Sequence, residues 1–355
     1  MLMKAIELKK LKNKILEKPI IQGGMGVGIS RSSLAGAVAK EGGMGVISSV
    51  QLGFDEPDFD KNPFGANLRS LKKHILRAKE IAMGNGIIGV NIMTATQNYM
   101  ETVKTACKAG VEAIISGAGL PVDLPKYAEG FDVALAPIVS SLKSAKVILK
   151  YWDRKYNKTA DFLVIEGPKA GGHLGFSREE LLEGDFSDYD NEILKIIEEK
   201  KRYEEKYQRS IPVFVAGGIF ESEDVKHAIE LGADGVQVAS RFVATEECDA
   251  DIRYKQAYID AKPEDIIIVK SPVGMPARAI ENVFVKKTRE EKEKITKCFR
   301  CLNGCNPSVA DYCITRALIN AVEGNVDEGL IFCGQRVGEI DKMTTVPELM
   351  KELTV

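Results

Sequence analysis

Histidine is scarce in this chain, and neither sign of charge is in excess. Three histidines in 355 residues leave few groups for acid–base work near neutral pH. Lysine plus arginine number 49 against 51 aspartates and glutamates, for a formal net charge of −2. No basic excess is available for a nucleic-acid backbone, so nucleic acid is excluded as a partner. No apolar run approaches the roughly 20 residues of a membrane span. The lysine- and leucine-rich start, Met1 to Lys14, leads into no signal-peptide core or small-residue cleavage site. A cytoplasmic protein without a membrane segment is the expectation. The seven cysteines are an odd number, which argues against a secreted disulfide scaffold.

What is present is an ordinary globular composition, 45% hydrophobic and 28% charged, with a regular alternation inside it. Strand-like apolar runs fall at Pro19–Gln22, Met44–Ser48, Ile87–Met93, Ala113–Ser116, Val133–Val139, Phe162–Glu166, Val213–Ala216 and Gly235–Val238. Helical patterns separate them at Ser32–Lys40, Leu68–Ala82, Asn98–Ala109, Leu124–Tyr127, Leu142–Tyr156, Ile193–Tyr207 and Glu223–Leu231. Strand and helix alternating at this spacing predict parallel βαβ units. Eight units predict a closed (β/α)8 barrel, a TIM barrel. An open doubly wound sheet would put its glycine fingerprint in the first βα turn. Here glycines follow the first, fourth, sixth, seventh and eighth strands, all at one end. Two long loops, Gln51–Ala66 and Gly172–Asp190, are expected on the active-site face as lids. Asp265–Asn282 reads as a shaped loop because of its prolines and glycine. A charged helix is expected over Lys286–Lys297 and a last helix over Asp311–Val322.

Candidate site residues sit at the ends of these strands. Gly217-Gly218 closes the seventh strand, and Gln237, Val238, Ala239 and Ser240 close the eighth. Barrels commonly bind phosphate there, which points to a phosphorylated substrate or a flavin mononucleotide (FMN). Gly24 and Met25, after the first strand, read as backbone and side chain packed over a flat ring. Asn91 is an amide inside an apolar strand. It needs partners for its donor and its acceptor, either a heteroaromatic ring edge or neighbouring loop backbone. His173, behind Gly171 and Gly172, is the catalytic candidate; His74 and His227 fall in charged helical patterns and are expected on the surface. Cys298, Cys301, Cys305 and Cys313 form a cluster that fits a metal or iron–sulfur site or a group of small buried thiols; the spacing assigns no metal.

The segments PIIQGGMGVGIS, GVNIM, SGAGLP, EGPKAGGHLGF, PVFVAGGI, GVQVASRFVATEE and SPVGMPAR together resemble the nitronate monooxygenase family, formerly 2-nitropropane dioxygenases. They are also similar to the related flavin-dependent enoyl-acyl-carrier-protein reductases. The resemblance implies an FMN-binding barrel, with Gly24 and Met25 against the isoalloxazine and Asn91 on its polar edge. It places Glu166, Gly171 and Gly172 beside the ring or ribityl chain, and Gly217, Gly218 and Gln237 to Ser240 at the phosphate. His173 would face the substrate. Glu166 and Lys169 stand where the family often has glutamine and glutamate. A carboxylate near the flavin would disfavour an anionic reduced flavin, and Lys169 would offset it if it points inward.

The implied reaction is oxidation of an alkyl nitronate, or a nitroalkane, with O2 to a carbonyl compound and nitrite. The alternative is NAD(P)H-dependent enoyl reduction, with acyl carrier protein as a partner. The expected layout is a barrel over residues 1–285, with lid insertions near 51–66 and 172–210, and a helical, cysteine-containing extension over 286–355 packed on it. Oligomeric state is left open, a homodimer being one expectation.

Overall fold

The computed structural model describes residues 3–7 and 14–354, so most of the segment Met1 to Lys14 lies outside the described residues. An antiparallel ribbon of β1 (Ile6–Glu7) and β2 (Ile15–Leu16) comes first. Then come β3 (Ile20–Gln22), α1 (Ser32–Lys40), β4 (Met44–Ser48), α2 (Pro63–Ala82), β5 (Ile87–Met93), α3 (Tyr99–Lys108) and β6 (Ala113–Gly117). The alternation continues with α4 (Leu124–Tyr127), β7 (Ala134–Val139), α5 (Leu142–Tyr156) and β8 (Leu163–Glu166). After β8 the chain inserts β9 (Gly172–His173) and α6 (Arg178–Glu183) before α7 (Tyr189–Tyr207). β10 (Val213–Ala216), α8 (Ser222–Glu230), β11 (Gly235–Val238) and the single turn α9 (Ser240–Val243) complete the repeat.

Strands β3 to β8, β10 and β11 close into a parallel barrel, with β11 paired to β3. The expected TIM barrel is present, and its strands fall within a residue of the runs read from the sequence. The period-2 side-chain alternation of a strand explains the two cores. Ile21, Met44, Val46, Ile115, Phe162 and Phe214 point inward and fill the barrel. Ile20, Ile47, Ile88 and Val90 point outward and meet the helices. Phe162 and Phe214 meet edge to face inside the barrel, with ring centroids 5.6 Å apart. Leu16 of the ribbon is fully buried in the same inner core, so the end near the strand starts is plugged. Space for a ligand remains at the other end.

Outside the repeat the structure corrects several expectations. The chain continues through α10 (Ile252–Asp260) into Asp265–Asn282, which is not a loop. It forms an antiparallel hairpin of β12 (Ile266–Lys270) and β13 (Pro276–Ile280), and β13 also pairs with β9. The β-branched run Ile266–Val269 drives this pairing; the Pro and Gly residues only make the turn. The charged helix shortens to α11 (Val283–Glu290), and α12 covers Ile314–Val322. It is not the last helix: α13 (Val346–Leu353) follows, opened by a capping box between Thr345 and Glu348. The loop after β4 ends early because Asn62 caps α2, its side chain accepting from Gly65 N at 3.0 Å, with Pro63 in the first turn. Leu52 and Phe59 of that loop are buried, so it is packed rather than laid over the surface. His74, expected outside, is half-buried against Ser32 (3.0 Å), and burial lowers its pKa to about 4. His227 is exposed beside Asp190.

Close approach of α1 to the barrel depends on Gly45, where an added Cβ would land on the Ala35 carbonyl. Both partners are buried backbone, so neither can move cheaply. Gly45→Ala is expected to cost about 3 kcal/mol or more, read as a lower midpoint in urea unfolding followed by circular dichroism.

Candidate functional site

A cavity of ≈ 420 Å³ opens at the C-terminal ends of the barrel strands, and every residue predicted to be catalytic or to hold the cofactor lines it, whereas Cys298, Cys301, Cys305 and Cys313 do not. Gly24 lets the chain after β3 cross directly over β5, since a Cβ there would meet the Asn91 Cβ at 2.5 Å. The next residue, Met25, is held by a tight loop in which its N–H donates to Ser30 Oγ at 2.8 Å. Asn91 uses its backbone carbonyl to accept from Ser49 N and Ser49 Oγ. Its side-chain amide lines the cavity and has no hydrogen-bond partner among the described residues. The loop-backbone partner expected as one of its two readings is thus not found among the described residues.

At one end the loops after β8 and β10 press together. Gly217 and Gly218 have φ of 92° and 93°, a region that favours glycine, and a Cβ on Gly217 would meet Ala170 N and Gly167 O at 2.9 Å. Gln237, Val238, Ala239 and Ser240 border the same cavity. Ser240 Oγ accepts from Gly334 N at 2.9 Å, which leaves its own proton free to donate. Lys169 lies across Gly218 and is exposed; its ammonium pairs with no carboxylate among the described residues. Gly172, at φ 68°, presents bare backbone: a Cβ there would meet no protein atom within 4 Å.

The ionisable groups are set by burial. Glu166 ends β8 without an ion pair, and desolvation pushes its carboxyl up to about 7. The offset expected from Lys169 is therefore absent, and burial alone moves the Glu166 carboxyl into the neutral pH range. His173 is carried on β9, opposite Ala277 of β13. Its Nε2 lies 2.7 Å from Ser271 Oγ, and its ring meets Phe332 edge-on at 5.0 Å. Burial lowers its pKa to about 4, so the imidazole is neutral at pH 7. Arg278, two residues before the end of β13, is buried and donates to the carbonyls of Pro168 (2.8 Å) and Ala170. It has no carboxylate partner among the described residues, and burial lowers its pKa.

The sequence reading missed the contribution of the chain's last quarter. Phe332 to Val337 line the cavity, with Met275 and Leu318. Gly171 must be glycine because a Cβ there would meet the Cys333 carbonyl carbon at 2.5 Å. No local pattern marked this stretch. The cysteines are all free thiols: Cys298 is exposed, Cys301, Cys305 and Cys313 are half-buried, and Cys333 is buried at the cavity wall. Among the described residues no group of three or more His, Cys, Asp or Glu could hold a metal ion. Burial raises the Cys301 thiol to about 11.

A filled parallel barrel, with glycine-edged loops and a neutral histidine around one cavity at the strand ends, has the layout of a (β/α)8-barrel enzyme. The sequence matches the family described as nitronate monooxygenase over residues 9–355, so the chain belongs to the nitronate monooxygenase family of flavoprotein oxidoreductases. It is similar to a probable nitronate monooxygenase of Bacillus subtilis, 26% identical over 370 residues covering 97% of each chain. A probable nitronate monooxygenase of Staphylococcus saprophyticus is 26% identical over 301 residues, 78% of this chain and 79% of that one. Among solved structures it is similar to FabK from Thermotoga maritima, with 25% identity, a TM-score of 0.72 and coverage of 97% and 93%. It shares the fold of a nitroalkane oxidase from Streptomyces ansochromogenes, with 18% identity, a TM-score of 0.67 and 95% coverage of each chain.

The folded pKa of His173 lies below its unfolded value near 6.5. This residue therefore withdraws stability as pH falls from 6.5 towards 4, where only the unfolded chain binds the proton. In protein labelled with 15N-histidine, the His173 ring signals are expected to stay neutral down to about pH 5. Ser271→Ala is expected to broaden the tautomer equilibrium without restoring a midpoint near 6.5. A wild-type midpoint near 6.5 would contradict the burial argument.

Proposed function

We propose that the chain binds FMN in this cavity and oxidises alkyl nitronates with O2 to a carbonyl compound and nitrite. The observation that carries the proposal is the pairing of a neutral, Ser271-bonded His173 with an unclaimed Asn91 amide in one glycine-edged cavity. The residues fit a flavin. Its volume is within the usual range for ligand sites, Gly172 offers bare backbone to a flat ring, and the Asn91 amide can meet a ring edge that both donates and accepts. Gly217, Gly218, Ser240 and the unpaired Lys169 offer hydrogen bonds and charge to a phosphate. When bound, FMN would accept electrons from the substrate and return them to O2.

The protein's own groups have separate tasks. Val273 N donates to Ser271 Oγ at 3.3 Å. The Ser271 hydroxyl can donate to His173 Nε2 while it accepts from Val273 N; in that tautomer the imidazole carries its proton on Nδ1, which has no partner among the described residues. Nδ1–H serves as a hydrogen-bond donor to a nitronate oxygen. A base with a pKa of about 4 removes a proton from a neutral nitroalkane poorly, so the anionic nitronate is the better substrate. Glu166 can hold a proton at neutral pH, which spares the site a second negative charge as electrons arrive. Arg278 fixes the Pro168–Ala170 backbone beside the cavity. The seven free thiols fit a reducing compartment such as the cytoplasm.

Enoyl-thioester reduction with NAD(P)H is the second reading, favoured by the similarity to FabK across nearly the whole chain. The two separate in an anaerobic mixing experiment. Bleaching of the bound flavin by propyl-1-nitronate, but not by NADH or NADPH, is the expected result, with nitrite released on admitting air. Rapid bleaching by a nicotinamide alone moves the assignment to the reductase. His173→Gln is expected to lower kcat/KM for the nitronate about 100-fold.

A further inference from the structure

Four of the seven cysteines fall in one stretch, Cys298-x2-Cys301-x3-Cys305-x7-Cys313, and the proposed reaction uses none of them. Between the end of α11 at Glu290 and the start of α12 at Ile314 the chain forms no helix, and no strand beyond the single bridge from Leu302 to Thr96. An irregular stretch of that length in a compact fold is uncommon and usually functional. It is nonetheless packed: Cys301, Cys305 and Cys313 lie against a core cluster that includes Phe299, Leu302 and Ile314.

The backbone gathers the thiols. Arg300 (φ 49°) and Gly304 (φ 74°) take left-handed backbone inside the first two spacers and curl the chain. Left-handed residues in such a turn aim backbone N–H groups into a concavity of the kind found at many iron–sulfur sites. Arg300 N donates to Cys298 Sγ at 3.4 Å. Cys313 is the N-terminal cap of α12, a nine-residue helix, and its side chain makes no capping hydrogen bond. Its sulfur therefore sits at the positive end of the helix, which favours a thiolate. Thr315 Oγ1 accepts from Gln51 at 3.0 Å and gives its own proton to the Cys301 sulfur. The four are mutual neighbours. Cys313 and Cys305 act electrostatically on Cys301, and Cys298 and Cys313 act on Cys305.

Their arrangement separates the metals that cysteine binds. A single tetrahedral ion such as zinc draws every thiolate to about 2.3 Å, so the sulfurs converge on one point. No three of these thiols do so, and none forms a disulfide. A 4Fe–4S cluster needs a wider set, with one cysteine on each iron. The cluster and its thiolates together carry negative charge. Arg300, between two of the cysteines, has no carboxylate partner among the described residues and supplies an offsetting cation.

We propose that Cys298, Cys301, Cys305 and Cys313 ligate a 4Fe–4S cluster that ties the stretch between α11 and α12 to the barrel rim. Its bonds would replace the backbone pairing that this stretch lacks. Cys301 and His173 line one small cavity, so the cluster stands behind the wall next to the histidine. The proposal does not depend on the reaction assigned to the main cavity.

The test is iron and acid-labile sulfide analysis of the full chain, purified without oxygen and supplied with ferrous iron and sulfide. About four of each per chain are expected, with a paramagnetic signal after one-electron reduction by dithionite. Zinc in place of iron, about two iron per chain, or no stoichiometric iron overturns the assignment. Cys298→Ala and Cys305→Ala are each expected to lose about one iron in four or more, while Cys107→Ala, in α3, keeps the full content. Wild-type iron in both ligand variants also overturns it. Cys298 is exposed, so Cys298→Ala decides if Cys305→Ala does not fold. Trypsin is expected to cut after Lys294, Lys297 or Arg300 about tenfold faster once a chelator has removed the iron. Equal rates with and without iron count against the tie.

Discussion

Eight parallel strands closed on themselves enclose a space that only side chains can fill, and the rest of this protein is arranged around that fact. Met44, Val46, Phe162 and Phe214 fill the middle of the barrel, and Leu16 of the ribbon closes one end. Ligand space is confined to the opposite rim, where the strands end and the loops begin. Each loop can then vary its chemistry with little effect on the barrel, because the barrel's stability comes from the packed interior and the helical coat.

The rim is not completed by the barrel alone. His173 reaches its position because β9 pairs with β13 of a hairpin more than 90 residues away in sequence. Arg278, on the same strand, holds the carbonyls of Pro168 and Ala170. Gly171 rests on the backbone of Cys333 and Gly334, and Ser240 accepts from Gly334. At the far end of the chain, Arg241 forms a two-pronged ion pair with Glu352 of α13, at 2.9 and 2.8 Å. The segment after the barrel is therefore a structural part of the cavity wall, which gives a physical reason for the family match to run to the end of the chain.

Burial also sets the electrostatics of the site. It pushes Glu166 up to about 7 and His173 down to about 4; both shifts favour the neutral form. Of the cations lining the cavity among the described residues, Arg241 and Arg336 are paired with carboxylates and Lys169, at the glycine-rich end, is not; Arg278, behind the wall, supports backbone. Lys169 makes the glycine-rich end the part of the cavity best suited to an anionic group.

The barrel was legible in the sequence because it is built from short-range signals. A strand writes its period of two, a helix its period of 3.6, and a glycine marks a close turn, all within a dozen residues. The positions of Gly24, Asn91, His173, Gly217 and Ser240 at strand ends followed from that pattern, and family motifs sharpened them. The hairpin β12–β13 was hidden because its Pro and Gly turn residues outweighed a four-residue β-branched run. α13 was hidden in a tail where nothing but its Thr345–Glu348 box announced it. The neutrality of His173 and the absence of a Glu166–Lys169 pair have no local signature at all. The first arises from burial against Ser271 and Phe332, which are 98 and 159 residues from His173. Local sequence determines which elements form and where their ends lie, but burial and hydrogen-bond partners are properties of the packed chain, and they decide what the residues at those ends can do.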